Sequence, residues 1–174
     1  MNREVYKQHY EAVLKYILFL TNNEQQAHDL LQETFLKFYK MRVQVEFPRT
    51  YLIKIARNLM YDQYRKKRLI QFFSLQQDKR VDDAPLPEMV IERNEENQHL
   101  YRALQQLPLK YREVITLRYI EEYSVKEVAA ILNCNEIKVK NDTARGLKDL
   151  RKQLEGGDLS DRTTTENIDT RSIK

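Results

Sequence analysis

The sequence is poor in the residues that build disulfide frameworks, tight turns and phosphate-binding loops. Its 174 residues include one cysteine, three glycines, four prolines and no tryptophan. One cysteine cannot form an internal disulfide, and the three glycines do not form a P-loop or dinucleotide-binding pattern. Because glycine and proline dominate the turns that a β-rich fold requires, their scarcity favours an all-helical protein.

Residue patterns typical of catalysis and metal binding are missing as well. His9, His28 and His99 are far apart in the sequence and do not have metal-ligand spacing. The aspartates and glutamates lie on ordinary amphipathic patterns. The sequence therefore predicts a protein that is not an enzyme and that needs no cofactor or metal.

Nothing in the sequence predicts membrane insertion or export. No uninterrupted apolar run is long enough to cross a bilayer. The first 20 residues carry charges among their apolar residues and lack a small-residue cleavage site, so they do not resemble a signal peptide. The single cysteine, Cys134, is expected to be a small buried residue with an unreactive thiol. These features favour a cytoplasmic protein.

The charges divide the chain into segments. Residues 1–69 hold 13 Lys and Arg against 7 Asp and Glu, whereas residues 70–92 hold 2 against 5. Residues 93–155 hold 12 against 10 and are basic again. Basic segments on either side of an acidic connector suggest two modules that face nucleic acid.

The strongest local signal is a helix-turn-helix pattern over Ser124–Leu154. Ser124 and Glu127 form an S-x-x-E capping box that would start the first helix. Asn133 stands where the turn favours a positive φ, which asparagine tolerates. The second helix would bury Val139, Leu147, Leu150 and Leu154. It would present the outward residues Lys138, Lys140, Asn141, Arg145 and Lys148. An ordinary helical hairpin with a solvated charged face would fit the same pattern.

The first module has helical periodicity over about residues 2–20, 24–41 and 48–68. The second predicted helix carries an extra stripe at helical spacing, and the third carries a basic stripe with a tyrosine inside it. Cations can bind phosphates and a flat ring can stack on an unpaired base, although a solvated charged face would have the same spacing. The basic stripe consists of Lys54, Asn58, Tyr61, Arg65 and Arg68.

Three segments, in this order, resemble the extracytoplasmic-function group of bacterial sigma factors. They are Asp29–Lys40, Tyr51–Arg68 and Leu107–Leu132, and the resemblance covers about residues 1–155. It implies an alternative sigma factor that binds core RNA polymerase, directs it to promoters and helps to melt the DNA. The resemblance also suggests an anti-sigma factor as a further partner.

The resemblance also implies how the chain is organised. Residues 1–69 would bind polymerase and the downstream promoter element, and residues 93–155 would bind the upstream element. Residues 70–92, which contain Pro85 and Pro87, would form the linker. The polar, unpatterned residues 156–174 are expected to be a disordered tail.

Individual residues take roles from the resemblance. The loop Arg42–Phe47 would hold a flipped base. Extruding a base from the stack costs free energy, which stacking and edge contacts must offset. The polymerase contacts would be Asp29, Gln32, Glu33 and Leu36. The downstream promoter contacts would be Tyr51, Lys54, Asn58, Tyr61, Asp62, Arg65 and Lys66.

The chain departs from the family's pattern at Asp142 and Thr143, where a basic and an apolar residue are common. Asp142 in a recognition helix would either repel phosphate or accept a hydrogen bond from a cytosine amino group. The sequence therefore predicts the binding mode and leaves the preferred promoter sequence open.

Two other functions fit parts of the chain. A free-standing helix-turn-helix regulator would explain residues 93–155 but would leave the stripe of the second helix and the basic third helix without a role. A helical protein–protein adaptor would make the basic faces incidental. Binding to core polymerase separates the sigma factor from both.

Overall fold

The computed structural model describes residues 3–41, 45–74 and 95–165, and for residues 70–74 and 157–165 it describes the backbone alone. Part of the predicted base-holding loop and most of the predicted linker lie outside these ranges. The described residues form helices and contain no β-strand, so the all-α prediction is confirmed. The helices are α1 (Arg3–Thr21), α2 (Glu24–Lys40), α3 (Pro48–Ser74), α4 (Glu95–Gln105), α5 (Leu109–Ile115), α6 (Val125–Leu132) and α7 (Glu136–Thr165).

Helices α1, α2 and α3 form the first domain. Asn22, at φ 48°, turns the chain after α1, and the side chain of Asn23 caps α2 by accepting a hydrogen bond from the Gln26 N–H at 2.8 Å. The three helices pack through fully buried side chains such as Ile17, Leu30 and Leu52. The boundaries of α1 and α2 lie within one residue of those that the periodicity predicts.

Two helices extend further than predicted. Helix α3 continues to Ser74 rather than ending near Arg68, so the start of the predicted linker is helical. Helix α7 continues to Thr165, so residues 156–165 of the predicted disordered tail are helical too. Extending a formed helix adds one hydrogen bond for each residue fixed and costs far less than nucleation. Polar composition alone therefore did not end either helix.

The second domain contains α4 to α7, with the predicted helix-turn-helix in α6 and α7. Ser124 and Glu127 form the predicted capping box, with hydrogen bonds of 3.2 and 2.8 Å. Asn133 has the left-handed conformation expected of it, at φ 53° and ψ 51°. Asn135 caps α7 by accepting from the Lys138 N–H at 2.8 Å. A π-helical turn, Thr116–Ile120, continues α5 toward this motif.

The two domains pack against each other, which the sequence pattern did not predict. Buried residues of both domains, including Leu14 and Met60 from the first and Val114 and Val128 from the second, belong to one continuous hydrophobic core. Helix α1 lies between α2 and α3 on one side and α4 and α5 on the other. The described molecule is therefore a closed form whose main core contains residues of both domains.

Side chains of the second domain also satisfy the end of α1. The last carbonyls of a helix have no partner within the helix. Here the Phe19 carbonyl accepts from the Gln105 amide at 3.0 Å, and the Leu18 carbonyl accepts from the Tyr101 hydroxyl at 3.2 Å in addition to the Asn22 N–H at 3.0 Å. The Tyr101 hydroxyl also lies 2.8 Å from the Asn22 side-chain oxygen. Helix α1 thus ends against the second domain rather than in solvent.

Candidate nucleic-acid interface

The four residues predicted to bind polymerase form one exposed row on α2, which we call the α2 stripe. All four side chains are exposed, and Leu36 retains 59% of its accessible surface. The opposite face of the helix is buried through Leu30, Leu31 and Phe35. The structure thus brings the predicted residues together on a surface with acidic and apolar character; they are Asp29, Gln32, Glu33 and Leu36.

The predicted downstream promoter residues on α3 do not all face the same way. Asn58, Arg65 and Lys66 are exposed, whereas Tyr51, Lys54, Tyr61 and Asp62 are half-buried. The Tyr51 ring packs near Phe38, with centroids 6.3 Å apart. Arg65 is paired with Asp62 one turn earlier, and this hydrogen bond lowers the pKa of the Asp62 carboxyl.

Tyr61 differs most from its predicted environment, because its hydroxyl contacts the second domain. It donates to Oε2 of Glu113 on α5 at 2.9 Å. Oε1 of the same carboxylate accepts from the Tyr16 hydroxyl at 2.9 Å and from Arg57 Nε at 2.8 Å. Burial, together with the nearby Glu113 carboxylate, raises the pKa of Tyr61 well above its usual range. We call these four residues, Tyr16, Arg57, Tyr61 and Glu113, the Glu113 cluster.

A second ion pair joins the domains at the start of α3. Arg49 donates to the Glu121 carboxylate at 2.6 Å and to the Glu121 carbonyl at 3.1 Å. The guanidinium also lies over the Tyr123 ring, 4.9 Å from its centroid. The Glu121 side chain is almost fully buried, and this burial raises its pKa. Sequence periodicity predicted neither this pair nor the Glu113 cluster, because both depend on contacts between domains.

The exposed face of α7 has a clear order around the helix. At 100° for each residue, Ile137, Asn141 and Ala144 lie within about 60° of one another, opposite the buried Val139 and Gly146. All three are exposed, and Ile137 retains 70% of its accessible surface. The predicted upstream residues Lys140, Asn141, Arg145 and Lys148 are exposed on this face or beside it.

Asp142 lies in a different environment from the one that the sequence interpretation gave it. It is only 7% exposed, and it faces the side of α7 that packs on the domain. One of its oxygens accepts from Lys138 Nζ at 2.5 Å, and this hydrogen bond raises the pKa of Lys138. Asp142 therefore does not face a groove-bound base or phosphate in this form, and the charge of Lys138 is already compensated.

Ile137 is a residue that the sequence interpretation missed, because it was assigned to neither the buried nor the outward side of α7. Leu147 was assigned to the buried side of α7 and is 38% exposed instead. The signal that could have identified Ile137 is its position two residues after the Asn135 cap, out of phase with the buried Val139.

No cluster of three or more metal-ligating side chains occurs among the described residues. Within the same ranges, no helix is long and apolar enough to span a membrane.

The chain matches two family models that correspond to the two domains. Residues 5–70 match sigma-70 region 2, and residues 98–150 match sigma-70 region 4. The first match contains the α2 stripe and most of α3, and the second contains the helix-turn-helix. The domains separated by the predicted linker are thus similar to two known regions in their known order.

Curated relatives are similar over most of the chain. The ECF RNA polymerase sigma factor SigX of Bacillus subtilis (strain 168) is 32% identical over 159 residues, covering 87% of this chain and 82% of that protein. SigW from the same organism is 33% identical over 147 residues, covering 78% and 79%.

Two solved structures share the fold. The sigma factor RpoE in complex with the anti-sigma factor NepR from Bartonella quintana has a TM-score of 0.71 at 24% identity, covering 88% of this chain and 96% of that one. CnrH in complex with the cytosolic domain of CnrY has a TM-score of 0.63 at 22% identity, covering 88% and 87%.

Proposed function

Because this chain belongs to the extracytoplasmic-function (ECF) family of RNA polymerase sigma factors, and so directs RNA polymerase to promoters as an alternative sigma factor, we propose that three of its surfaces divide that work. The α2 stripe binds core polymerase, α3 binds the downstream promoter element, and the exposed face of α7 binds the upstream element. The family consists of transcription initiation factors. The observation that carries the proposal is that the α2 stripe and the face of α7 are exposed in different places, each opposite a buried face, while α3 exposes Asn58, Arg65 and Lys66.

Run-off transcription with purified protein and core polymerase tests the function directly. We expect transcripts that start at defined promoters only when this protein is added. A free-standing regulator would bind duplex DNA tightly without polymerase and would give no such transcripts. The match of residues 5–70 to sigma-70 region 2 disfavours that alternative.

The α2 stripe suits a protein partner because it exposes Leu36 beside polar and acidic side chains. An exposed leucine alone is ordinary, but here it continues a row of exposed Asp29, Gln32 and Glu33 on one helix face. Glu33 has a weak ion pair with Lys37, with 3.8 Å between the charged atoms. Such a surface pair adds little stability, so the stripe is free to exchange it for a partner.

We expect the double change Gln32→Ala with Glu33→Ala to weaken core polymerase binding about tenfold and to leave the fold intact. Both side chains lie outside the core, so their loss removes partner contacts without creating a cavity. Fluorescence titration of core polymerase measures the affinity, and circular dichroism measures the helix content. The matched control is Gln8→Ala with Glu11→Ala, an exposed Gln and Glu pair on α1. Equal affinities for both double variants would show that the α2 stripe is not the polymerase surface.

Helix α3 supplies the cations and aromatic rings of the proposed downstream surface. Lys54, Asn58, Arg65 and Lys66 provide phosphate and base-edge contacts, while Tyr51 and Tyr61 provide rings on which unpaired bases can stack. Stacking would stabilise the separated strand and so assist melting. Tyr61 can contribute only after its hydroxyl leaves Glu113.

The exposed face of α7 supplies the proposed upstream contacts. Lys140 and Arg145 flank the face on opposite sides, Lys148 lies one further turn along, and Asn141 is near its centre. In a helix-turn-helix the second helix lies in the major groove, so flanking cations reach the phosphates of the two strands. Lys138 contributes only if it exchanges Asp142 for a phosphate.

We expect Lys140→Ala to weaken promoter binding and to reduce the salt dependence by about one counterion. A lysine–phosphate contact releases about one condensed cation, so its loss lowers the slope of log affinity against log salt by roughly 0.9. The measurement is a titration of the polymerase complex on promoter DNA at several salt concentrations. Lys7→Ala removes an exposed cation on α1 and should keep the wild-type slope. A wild-type slope for Lys140→Ala would exclude a phosphate contact.

An anti-sigma factor and a cytoplasmic location complete the proposal. RpoE and CnrH, which share the fold, were solved with NepR and with the cytosolic domain of CnrY. A partner of that kind would hold this chain away from polymerase, which itself acts on cytoplasmic DNA. Loss of polymerase binding on addition of a candidate partner would support this role.

A further inference from the structure

The centre of the exposed α7 face has the chemistry of base recognition rather than of phosphate binding. Ile137, Asn141 and Ala144 follow at i, i+4 and i+7, so they form a continuous row along the helix. Lys140 lies about 60° to one side of Ile137 and Arg145 about 80° to the other. The uncharged row is therefore bordered by a cation on each side.

From this order we propose that Ile137, Asn141 and Ala144 read A·T base pairs in the upstream element, an inference that rests on the proposed placement of α7 in the major groove. An A·T pair presents the adenine N7 and N6 groups and the thymine methyl in that groove. Asn141 pairs with adenine through both groups. Ile137 and Ala144 contact thymine methyls, which only apolar side chains recognise favourably.

The position of Ile137 supports this role. Residues at the start of a recognition helix are those that contact base edges, and Ile137 is the second residue of α7. A 70% exposed isoleucine gains little burial from this chain's own fold. The neighbouring Lys138 and Asp142 bind each other, so the Asp142 carboxylate is compensated and turned away from the row.

Single-atom changes in the DNA test the row residue by residue. We would replace each thymine of a mapped upstream element with uracil, one at a time, and titrate the wild-type protein with core polymerase on each promoter. At one thymine or more, loss of the methyl should weaken binding about fourfold, as expected for one buried methyl group. The Ile137→Ala or Ala144→Gly variant should lose that penalty. Leu100→Ala, which shortens an exposed leucine on α4, should keep it.

Replacement of each adenine by 7-deazaadenine tests Asn141 in the same way. Loss of the N7 acceptor should weaken wild-type binding about tenfold at one position, and Asn141→Ala should remove that difference. Equal losses of affinity in wild type and variants at every position would refute the proposal that Ile137, Asn141 and Ala144 contact bases. Binding that does not depend on the upstream element at all would instead refute the placement of α7 in the groove.

A different observation, the Glu113 cluster, carries a second inference about how the protein becomes active. Glu113 is 2% exposed and receives three hydrogen bonds, all from the first domain. Of the three donors, Tyr16 is completely buried and Arg57 lies over the Tyr61 ring, 4.6 Å from its centroid. A single carboxylate of the second domain thus holds two helices of the first.

The closed form is too small to read both promoter elements together. The longest described helix, α7, has 30 residues and is therefore about 45 Å long. Two sites separated by two turns of DNA are roughly 70 Å apart. Residues 75–94, which join α3 to α4, could span roughly 70 Å if extended, so only the separated domains can reach both sites.

We infer that the Glu113 cluster holds the free protein closed and that its rupture is a required step of promoter engagement; this rests on the proposed role of α3. A binding-competent form populated in a fraction of the molecules reduces the apparent affinity by that fraction. Weakening the cluster should therefore increase activity at limiting protein concentration, although every residue changed lies outside the polymerase and upstream surfaces.

Glu113→Gln and Tyr16→Phe test this inference with little change of shape. Each removes charge or a hydrogen bond from the cluster and leaves Tyr61 in place. We expect small-angle X-ray scattering to show a larger radius of gyration than wild type. Run-off transcription at limiting protein should rise about tenfold for Glu113→Gln, since hydrogen bonds to charged groups are the stronger ones. Thr34→Val, which removes a buried hydrogen bond inside the first domain, should change neither measurement.

Three outcomes distinguish the role of the cluster from the proposed function. Unchanged radii in both variants, with wild-type helix content by circular dichroism, would show that the cluster does not hold the domains together. Larger radii with unchanged or lower transcription would show that closure does not limit activity. A wild-type protein that directs no transcription would refute the proposed function rather than the role of the cluster.

Discussion

Inserting half a helical turn, about five base pairs, between the two promoter elements should reduce transcription by at least tenfold. The insertion rotates one element to the opposite side of the duplex, although both element sequences stay intact. The two domains then cannot contact their elements from the same polymerase. Run-off transcription from the original and the extended promoter measures the effect.

The physical reason is that each domain alone gains little from its own element. On the proposed assignment each domain reads a few base pairs through one helix face, and the second contact becomes effective because the first holds it nearby. The control is a promoter whose spacer has an altered sequence and the original length, which should retain full activity. Undiminished transcription after the half-turn insertion would show that the domains act separately and would favour a regulator that uses α7 alone.

Gly146→Val should lower the free energy of unfolding by about 2 kcal/mol, since overpacking a core costs roughly 1–3 kcal/mol. Gly146 lies where α7 crosses α5, and a Cβ at this position would come within 2.9 Å of Ile115 Cδ1 and 3.1 Å of Tyr111 Cβ. The tip of Ile115 can shift, but Tyr111 Cβ is fixed to its backbone. Valine adds two further methyl groups to this contact.

Gly156→Val is the matched control, because it makes the same change in the same helix. A Cβ at Gly156 meets nothing within 4 Å, and valine is a slightly better helix former than glycine. Stability should therefore stay the same or rise by a few tenths of a kcal/mol. Chemical denaturation with circular dichroism compares the two variants. Equal stability for both would show that α5 and α7 do not pack closely at Gly146.

Local signals in the sequence predicted the helices well. The capping box at Ser124 and the left-handed Asn133 depend on a few neighbouring residues, so the sequence pattern was sufficient to place them. The α2 stripe was likewise predictable because its four residues share one face of a single helix. The ends of α3 and α7 were less predictable, since no proline stands close enough to stop either helix.

Contacts between domains could not be read from periodicity. Glu113 looks like an ordinary charged residue on an amphipathic helix, and its three partners lie 52 to 97 residues away in sequence. Tyr61 fits equally well as an exposed ring or as a partner of a buried carboxylate. Asp142 was ambiguous for a related reason, because its direction depends on how α7 rotates against the core.

The contacts at the end of α1 have a consequence for variation among natural sequences. Tyr101 and Gln105 join the domains by donating to the last carbonyls of α1, and neither lies on a surface assigned to DNA or polymerase. On the inference that opening limits activity, a substitution at either position would change the fraction of molecules that can bind a promoter. Such substitutions would alter the amount of active protein without altering the set of promoters that it recognises.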